Sequence, residues 1–171
     1  GAGRAIRIVG DAGIGKSRLS ADLLAEAARR GVRIIAASCF SYTASIPYAA
    51  WGEWLKSLCG IVSGDDDALR ARKIAARLAE LGPEMTEWLP LVGDLARLDV
   101  PENRLTRGLD PQMRQARRFE LLEQLLLRAA ADGPVLALFE DLHWADPISL
   151  ELWRRVAGKI AGHPIVILGI H

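Results

Sequence analysis

The sequence predicts an α/β domain, a three-layer fold built on a mostly parallel sheet. Three observations carry that prediction. Short apolar runs alternate with longer segments of helical periodicity toward both ends of the chain. The runs at 135–139 (Val-Leu-Ala-Leu-Phe) and 165–168 (Ile-Val-Ile-Leu) are apolar throughout, as expected of strands covered on both faces of a parallel sheet. A glycine-rich segment, 10–15, joins the first apolar run to the first helical pattern.

The elements follow in order. A first strand is expected at 4–9, with Ile6, Ile8 and Val9 as its apolar content. A helix is expected at 16–30, with Leu19, Leu23, Leu24 and Ala27 as its apolar stripe and Gly31 in the C-terminal cap. A second strand fits 32–37. Residues 40–110 break the alternation and read as a helical insertion in three pieces, 47–58, 66–81 and 83–98. Trp51, Trp54 and Trp88 are expected to pack in cores, and Asp65-Asp66-Asp67 to form a solvated helix start. Residues 100–110 read as a polar loop. Asp110 can cap a helix over 111–131, with Pro111 as its first residue, and Asp146 can cap another over 147–159. Gly133-Pro134 and His163-Pro164 punctuate the starts of the third and fourth strands.

Composition narrows the function classes. The 171 residues carry 22 Lys plus Arg against 21 Asp plus Glu. So even a balance gives no electrostatic footprint for nucleic acid, and no direct nucleic-acid contact is expected. Two cysteines and three histidines supply no zinc constellation. Cys39 and Cys59 sit in apolar stretches and read as reduced core thiols of a cytoplasmic protein. No apolar run approaches the ~20 residues that span a bilayer, and no signal peptide is evident, so no membrane association is expected. The chain starts without Met and ends in an apolar run, and reads as a piece of something longer.

The chemistry-bearing residues begin at Gly10-Asp11-Ala12-Gly13-Ile14-Gly15-Lys16-Ser17, which fits G-x-x-x-x-G-K-[ST]. Glycines let successive backbone N–H groups turn inward to cradle phosphate oxygens. The helix opening at Lys16 adds its unsatisfied donors and the positive end of its dipole. Lys16 can reach the outer phosphates and the Ser17 hydroxyl can ligate Mg²⁺. At ordinary glycine usage a chance match in a chain this long has a probability of roughly 1%. The second piece is the apolar run 135–139 followed by Glu140-Asp141, the form of a Walker B strand. One acid there can direct Mg²⁺ and a neighbour can polarise water. Adjacent strand residues face opposite ways, so the two acids cannot share one role. His143 reads either as a hydrogen-bonded structural residue or as a nucleotide sensor, and Trp144 as a packing residue.

Together, Gly10 to Ser17 and Glu140-Asp141-Leu142-His143-Trp144-Ala145-Asp146 resemble the AAA-type P-loop ATPase domain of large bacterial signalling proteins, the STAND ATPases. Such domains occur beside class III adenylate or guanylate cyclase domains and in LuxR-like regulators. Cys39-Phe40-Ser41-Tyr42, Ile46-Pro47-Tyr48 and the stretch from Asp146 to Leu152 extend the resemblance over nearly the whole chain. It implies a P-loop NTPase core of the RecA/ASCE type with sheet order 5-1-4-3-2. The fifth strand and the helical lid are expected to be absent, leaving a truncated core. It also implies ATP or ADP with Mg²⁺ as ligands. The nucleotide-contacting set is Gly10, Asp11, Ala12, Gly13, Ile14, Gly15, Lys16, Ser17 and Arg18. Ser17 and Glu140 are the metal-directed residues. Asp141, Glu140 and Lys16 are the catalytic set, with Asp141 polarising water. Acids of this kind usually begin with Asp, so the presence of Glu140 leaves a swap of the two roles open. A polar sensor residue or Arg is expected at the end of the fourth strand. His171 stands there, as a substitute sensor or as the first residue of a purification tag.

The resulting expectation is a regulatory ATPase module that switches neighbouring domains of a parent chain, with self-association as a further expected contact. Without its lid such a module is expected to hydrolyse ATP weakly. A non-catalytic interaction module and a small-molecule kinase are the alternatives.

Overall fold

The computed structural model describes residues 2–11 and 13–171. They fall into two units, Gly1–Trp54 with Ala129–His171, and Leu55–Arg128.

The first unit is built on four strands: β1 (Arg4–Ile8), β2 (Arg33–Ser38), β3 (Val135–Glu140) and β4 (Ile165–Ile170). All pair in parallel, in the order β1-β4-β3-β2. The fold class is α/β as the sequence predicts, and the sheet is parallel throughout. The two all-apolar runs are the central strands. β3 is buried along its length except at Glu140, and β4 except at Val166. β1 lies at the edge and is exposed at every residue but Ile8, which is half-buried. β4 runs two residues beyond its predicted end, through Gly169. A Cβ at Gly169 would stand 2.5 Å from Leu142 Cδ2 and 3.5 Å from Trp153 Cζ2. Glycine there leaves room for the Leu142 side chain, which a larger residue would displace.

Helix α1 (Lys16–Arg29) covers one face of the sheet. Ala27 and Leu24 meet Ile8, Leu136, Leu138, Leu168 and Ile170. The predicted stripe is too wide. Leu19 and Leu23 are exposed, because the seam runs through Ser20, Leu24 and Ala27, one stripe further round the helix. Leu23 borders an open apolar groove of about 530 Å³ with Ile6, Ile8 and Val166. Gly31, at φ 70°, ends the helix where predicted.

The other face carries α6 (Pro147–Ala157) and the start of α2 (Ala49–Cys59). The Trp51 ring lies 4.9 Å from Phe139 and 5.4 Å from Trp54, centroid to centroid, and its Nε1 donates to the Ser149 carbonyl at 3.0 Å. Both tryptophans are fully buried core residues, as predicted.

The second unit contains α3 (Asp67–Ala79), α4 (Leu89–Gly93) and most of α5 (Pro111–Ala129). Three expectations change here. The predicted helix over 83–98 breaks into a 3₁₀ stretch (Pro83–Trp88), α4, and a second 3₁₀ turn (Asp94–Ala96). Pro90 lacks the N–H that a continuous helix needs. The Asp65-Asp66-Asp67 run is more than a solvated start. Asp66 caps α3 by accepting from Leu69 N at 2.7 Å, and Asp65 pairs with Lys73 at 2.5 Å. Trp88 is half-buried, with the Arg117 guanidinium 4.2 Å above its ring. The loop over 100–110 is ordered by Asn103, whose Oδ1 accepts from Leu105 N and Thr106 N, and by Arg114, which bonds the Thr106 carbonyl and pairs with Glu102.

Candidate functional site

The sheet's carboxyl edge holds a cavity of about 660 Å³. Its wall includes Gly10, Gly13, Gly15, Lys16 and Ser17 from the turn between β1 and α1. Asp141 and His143 join from the end of β3, and His171 from the end of β4. Parallel topology makes this meeting inevitable, since every strand delivers its last residue to the same edge.

Locally, the loop is shaped by backbone freedom. Gly13 and Gly15 sit at φ 83° and 101°, with nothing within 4 Å of where a Cβ would stand. Glycine is needed there for conformation, not for space. Gly15 is also the N-cap of α1. It offers no side-chain cap, and no acid sits in the first turn. The first intrahelical bond is Leu19 N to Gly15 O at 3.0 Å. The opening N–H groups of α1 thus remain available to an anion. Lys16 Nζ donates to the carbonyls of Gly10 (2.6 Å) and Asp11 (2.9 Å), which holds its ammonium over the loop with a third donor to spare.

Asp141 closes β3 in the left-handed region, at φ 51° and ψ 42°, a conformation Asp tolerates better than most residues. Its carbonyl accepts from Trp144 N at 2.8 Å, closing a 3₁₀ turn over Leu142–Trp144. Buried Leu142 anchors that turn while His143 borders the cavity. Trp144 is not a packing residue: it is 43% exposed, with its ring 5.0 Å from that of His143. Glu140 lies elsewhere. Its Oε2 accepts from Ser38 Oγ at 3.2 Å, across from it on β2. Asp11, Ile14 and Arg18 are exposed around the loop, and Ala12 lies outside the described residues.

Two neighbours complete the surroundings. Asp146 is buried, and its Oδ1 accepts both Ser149 N (3.0 Å), capping α6 as predicted, and Tyr48 N (3.1 Å). Cys39 is buried, and its thiol is pushed up to about 12, first by that burial and then by the negative charges of Asp141 and Asp146. His143 and His171, each read from the sequence as a possible sensor, border the cavity although the predicted site set lacks both. The N–H of His171 donates to Ile8 O at 2.9 Å, and its Nε2 accepts from Arg7 Nε at 3.1 Å. Its ring lies 6.5 Å from that of His143. Burial, the Arg7 guanidinium and His143 hold its imidazole below the usual range.

The donors suit a phosphorylated ligand: one ammonium, a run of backbone N–H groups and one hydroxyl, with the Asp141 carboxylate beside them as an acceptor. The volume is in the range of nucleotide-sized pockets. Among the described residues, no group of three or more His, Cys, Asp or Glu side chains could hold a metal ion by itself. A Mg²⁺ here would draw ligands from phosphate and water beside one or two protein oxygens.

The sequence profile of the AAA ATPase domain matches residues 1–168. The chain belongs to the AAA ATPase domain family. An ATPase-type nucleotide-binding function comes with that membership, and the order β1-β4-β3-β2 fits the P-loop sheet. The AAA ATPase domain is similar to an uncharacterised protein of Rhizobium meliloti (strain 1021), at 28% identity over 98% of this chain and 16% of that protein. It thus spans about one sixth of that relative's length. No solved structure matches it significantly. Among the described residues, no helix is long and apolar enough to cross a membrane.

Proposed function

We propose that this AAA ATPase domain binds Mg-ATP in the cavity at the carboxyl edge of the sheet and acts as a switch for neighbouring domains of a longer, cytoplasmic signalling protein. One observation carries the reading: Lys16, Ser17, the loop glycines and Asp141 all border one cavity. The loop N–H groups and the start of α1 take the inner phosphates, and Lys16 turns its ammonium from the loop carbonyls toward the outer ones. Ser17 Oγ is the metal-directed hydroxyl. When bound, Mg²⁺ neutralises phosphate charge and orients the terminal group.

Asp141 is the acid that orients the attacking water, since it borders the cavity and Glu140 is not among the cavity residues. Glu140, held by Ser38, would supply a carboxylate for water around a bound Mg²⁺. The run from Glu140 to Asp146 supports the switch role through its resemblance to signalling ATPases. The parent chain reads the nucleotide state through differential contacts, and self-association belongs to the same reading.

Calorimetric titration with Mg-ATP and Mg-ADP, beside Lys16→Ala, tests the proposal. Wild-type protein is expected to bind both, and the variant to bind at least about thirtyfold more weakly, with an unchanged circular dichroism spectrum. Equal affinities in the two proteins, or no binding by wild type, would remove the phosphate-site reading.

A further inference from the structure

The contact between Arg7 and His171 joins the edge strand to the cavity across 164 positions of sequence. Arg7 lies on β1, three residues before the phosphate loop begins, and pairs in register with Gly169. A guanidinium has donors only, so in the bond from Arg7 Nε the imidazole must accept through the Nε2 lone pair. A neutral imidazole carries one proton, and Nε2 cannot hold it while accepting. That proton is therefore on Nδ1, the opposite tautomer to the one free imidazoles favour. Among the described residues Nδ1 has no hydrogen-bond partner, and His171 borders the same cavity as Lys16 and Ser17.

We propose that Arg7 is a positioning residue for the nucleotide site: by donating to Nε2 it fixes His171 in the tautomer with its proton on Nδ1, so that β4 ends in an oriented donor for phosphoryl oxygens. This rests on the reading of the cavity as a nucleotide site. The groups around the ring agree with a neutral donor. Arg7 faces it from β1 and His143 from the turn after β3, while Lys16 on α1 and Asp141 share the cavity. Protonation would set Nε2–H against Arg7 Nε–H and add a second positive charge beside the guanidinium. The guanidinium thus opposes protonation of the ring and favours the neutral donor.

The test is a long-range ¹H–¹⁵N spectrum of the full chain, with His171 assigned by His171→Gln, combined with Mg-ATP titration of Arg7→Thr, His171→Gln and the double variant. The expected wild-type spectrum has Nε2 unprotonated and Nδ1 protonated at neutral pH. In Arg7→Thr the ring should move toward the Nε2–H tautomer and titrate at higher pH. Each single variant should bind Mg-ATP roughly tenfold more weakly. The double variant should be no weaker than His171→Gln, because Arg7 acts through that ring. A wild-type ring protonated on Nε2 overturns the proposal without any variant. So does a full additive loss in the double variant, or an unchanged tautomer in Arg7→Thr. If Lys16→Ala abolishes binding while those results fail, the nucleotide site stands and the role of Arg7 falls. If wild type binds no nucleotide, both fall.

Discussion

Cys39 shows how the site reaches into its surroundings. The thiol lies just past the end of β2; its burial first, and then the charges of Asp141 and Asp146, raise its pKa from 9.0 to about 12. Between those values the unfolded chain releases a proton that the folded chain keeps. Stability attributable to this thiol is therefore intact below about pH 9 and falls as pH rises toward 12. Thermal melts from pH 7.5 to 10.5 should show a steeper decline for wild type than for Cys39→Ala. Parallel pH slopes would mean the thiol is not so perturbed. For the same reason native protein should react with a thiol reagent far more slowly than unfolded protein. At this scale, legibility followed sequence distance. Lys16 and Ser17 could be read because the loop that shapes them is contiguous. The Arg7–His171 contact could not: the expected strand order puts β4 beside β1, but which side chains meet depends on the register that pairs Arg7 with Gly169.

Among the elements, α6 rests on one carboxylate. Asp146 Oδ1 satisfies the first turn of the helix and also holds Tyr48 N, where the backbone adopts φ 62° just before α2. Two buried N–H groups would lose their acceptor in Asp146→Ala, so that variant should lose about 2 kcal/mol. Asp146→Asn keeps an oxygen at the same place and should retain most of the stability. Chemical denaturation of the three proteins decides it, and equal losses in both variants would show that the charge matters more than the acceptor. The caps at Asp110, Asp146 and Gly31 could be read in advance because capping is local chemistry: a side chain or a φ angle acting within four residues. The broken stretch over 83–98 could not be read as cleanly. Its apolar spacing is helical, and only Pro90, with the 3₁₀ turns around it, decides against one continuous helix.

For the whole molecule, the fold class was legible because β3 and β4 are apolar at nearly every position, which only a strand covered on both faces sustains. The exposure of β1 was legible too, since the order 5-1-4-3-2, expected without its fifth strand, leaves β1 bare on one side. β1 carries Arg4 and Arg7 among its five residues, unlike the apolar central strands, and stands at the sheet edge beside an open groove. Amide hydrogen exchange should resolve this as a gradient. β1 amides are expected to exchange at least about tenfold faster than those of β3 under native conditions. Equal rates would mean the sheet opens only as a unit.

The phosphate loop therefore hangs from the most exposed strand of the sheet. A ligand gripped by that loop would be released by local opening at the sheet's margin, at a free-energy cost well below that of global unfolding. By linkage, the ligand's binding energy would return to the protein as protection of β1 and leave the central strands unchanged. Nucleotide residence time and edge-strand breathing would then be two readings of one equilibrium.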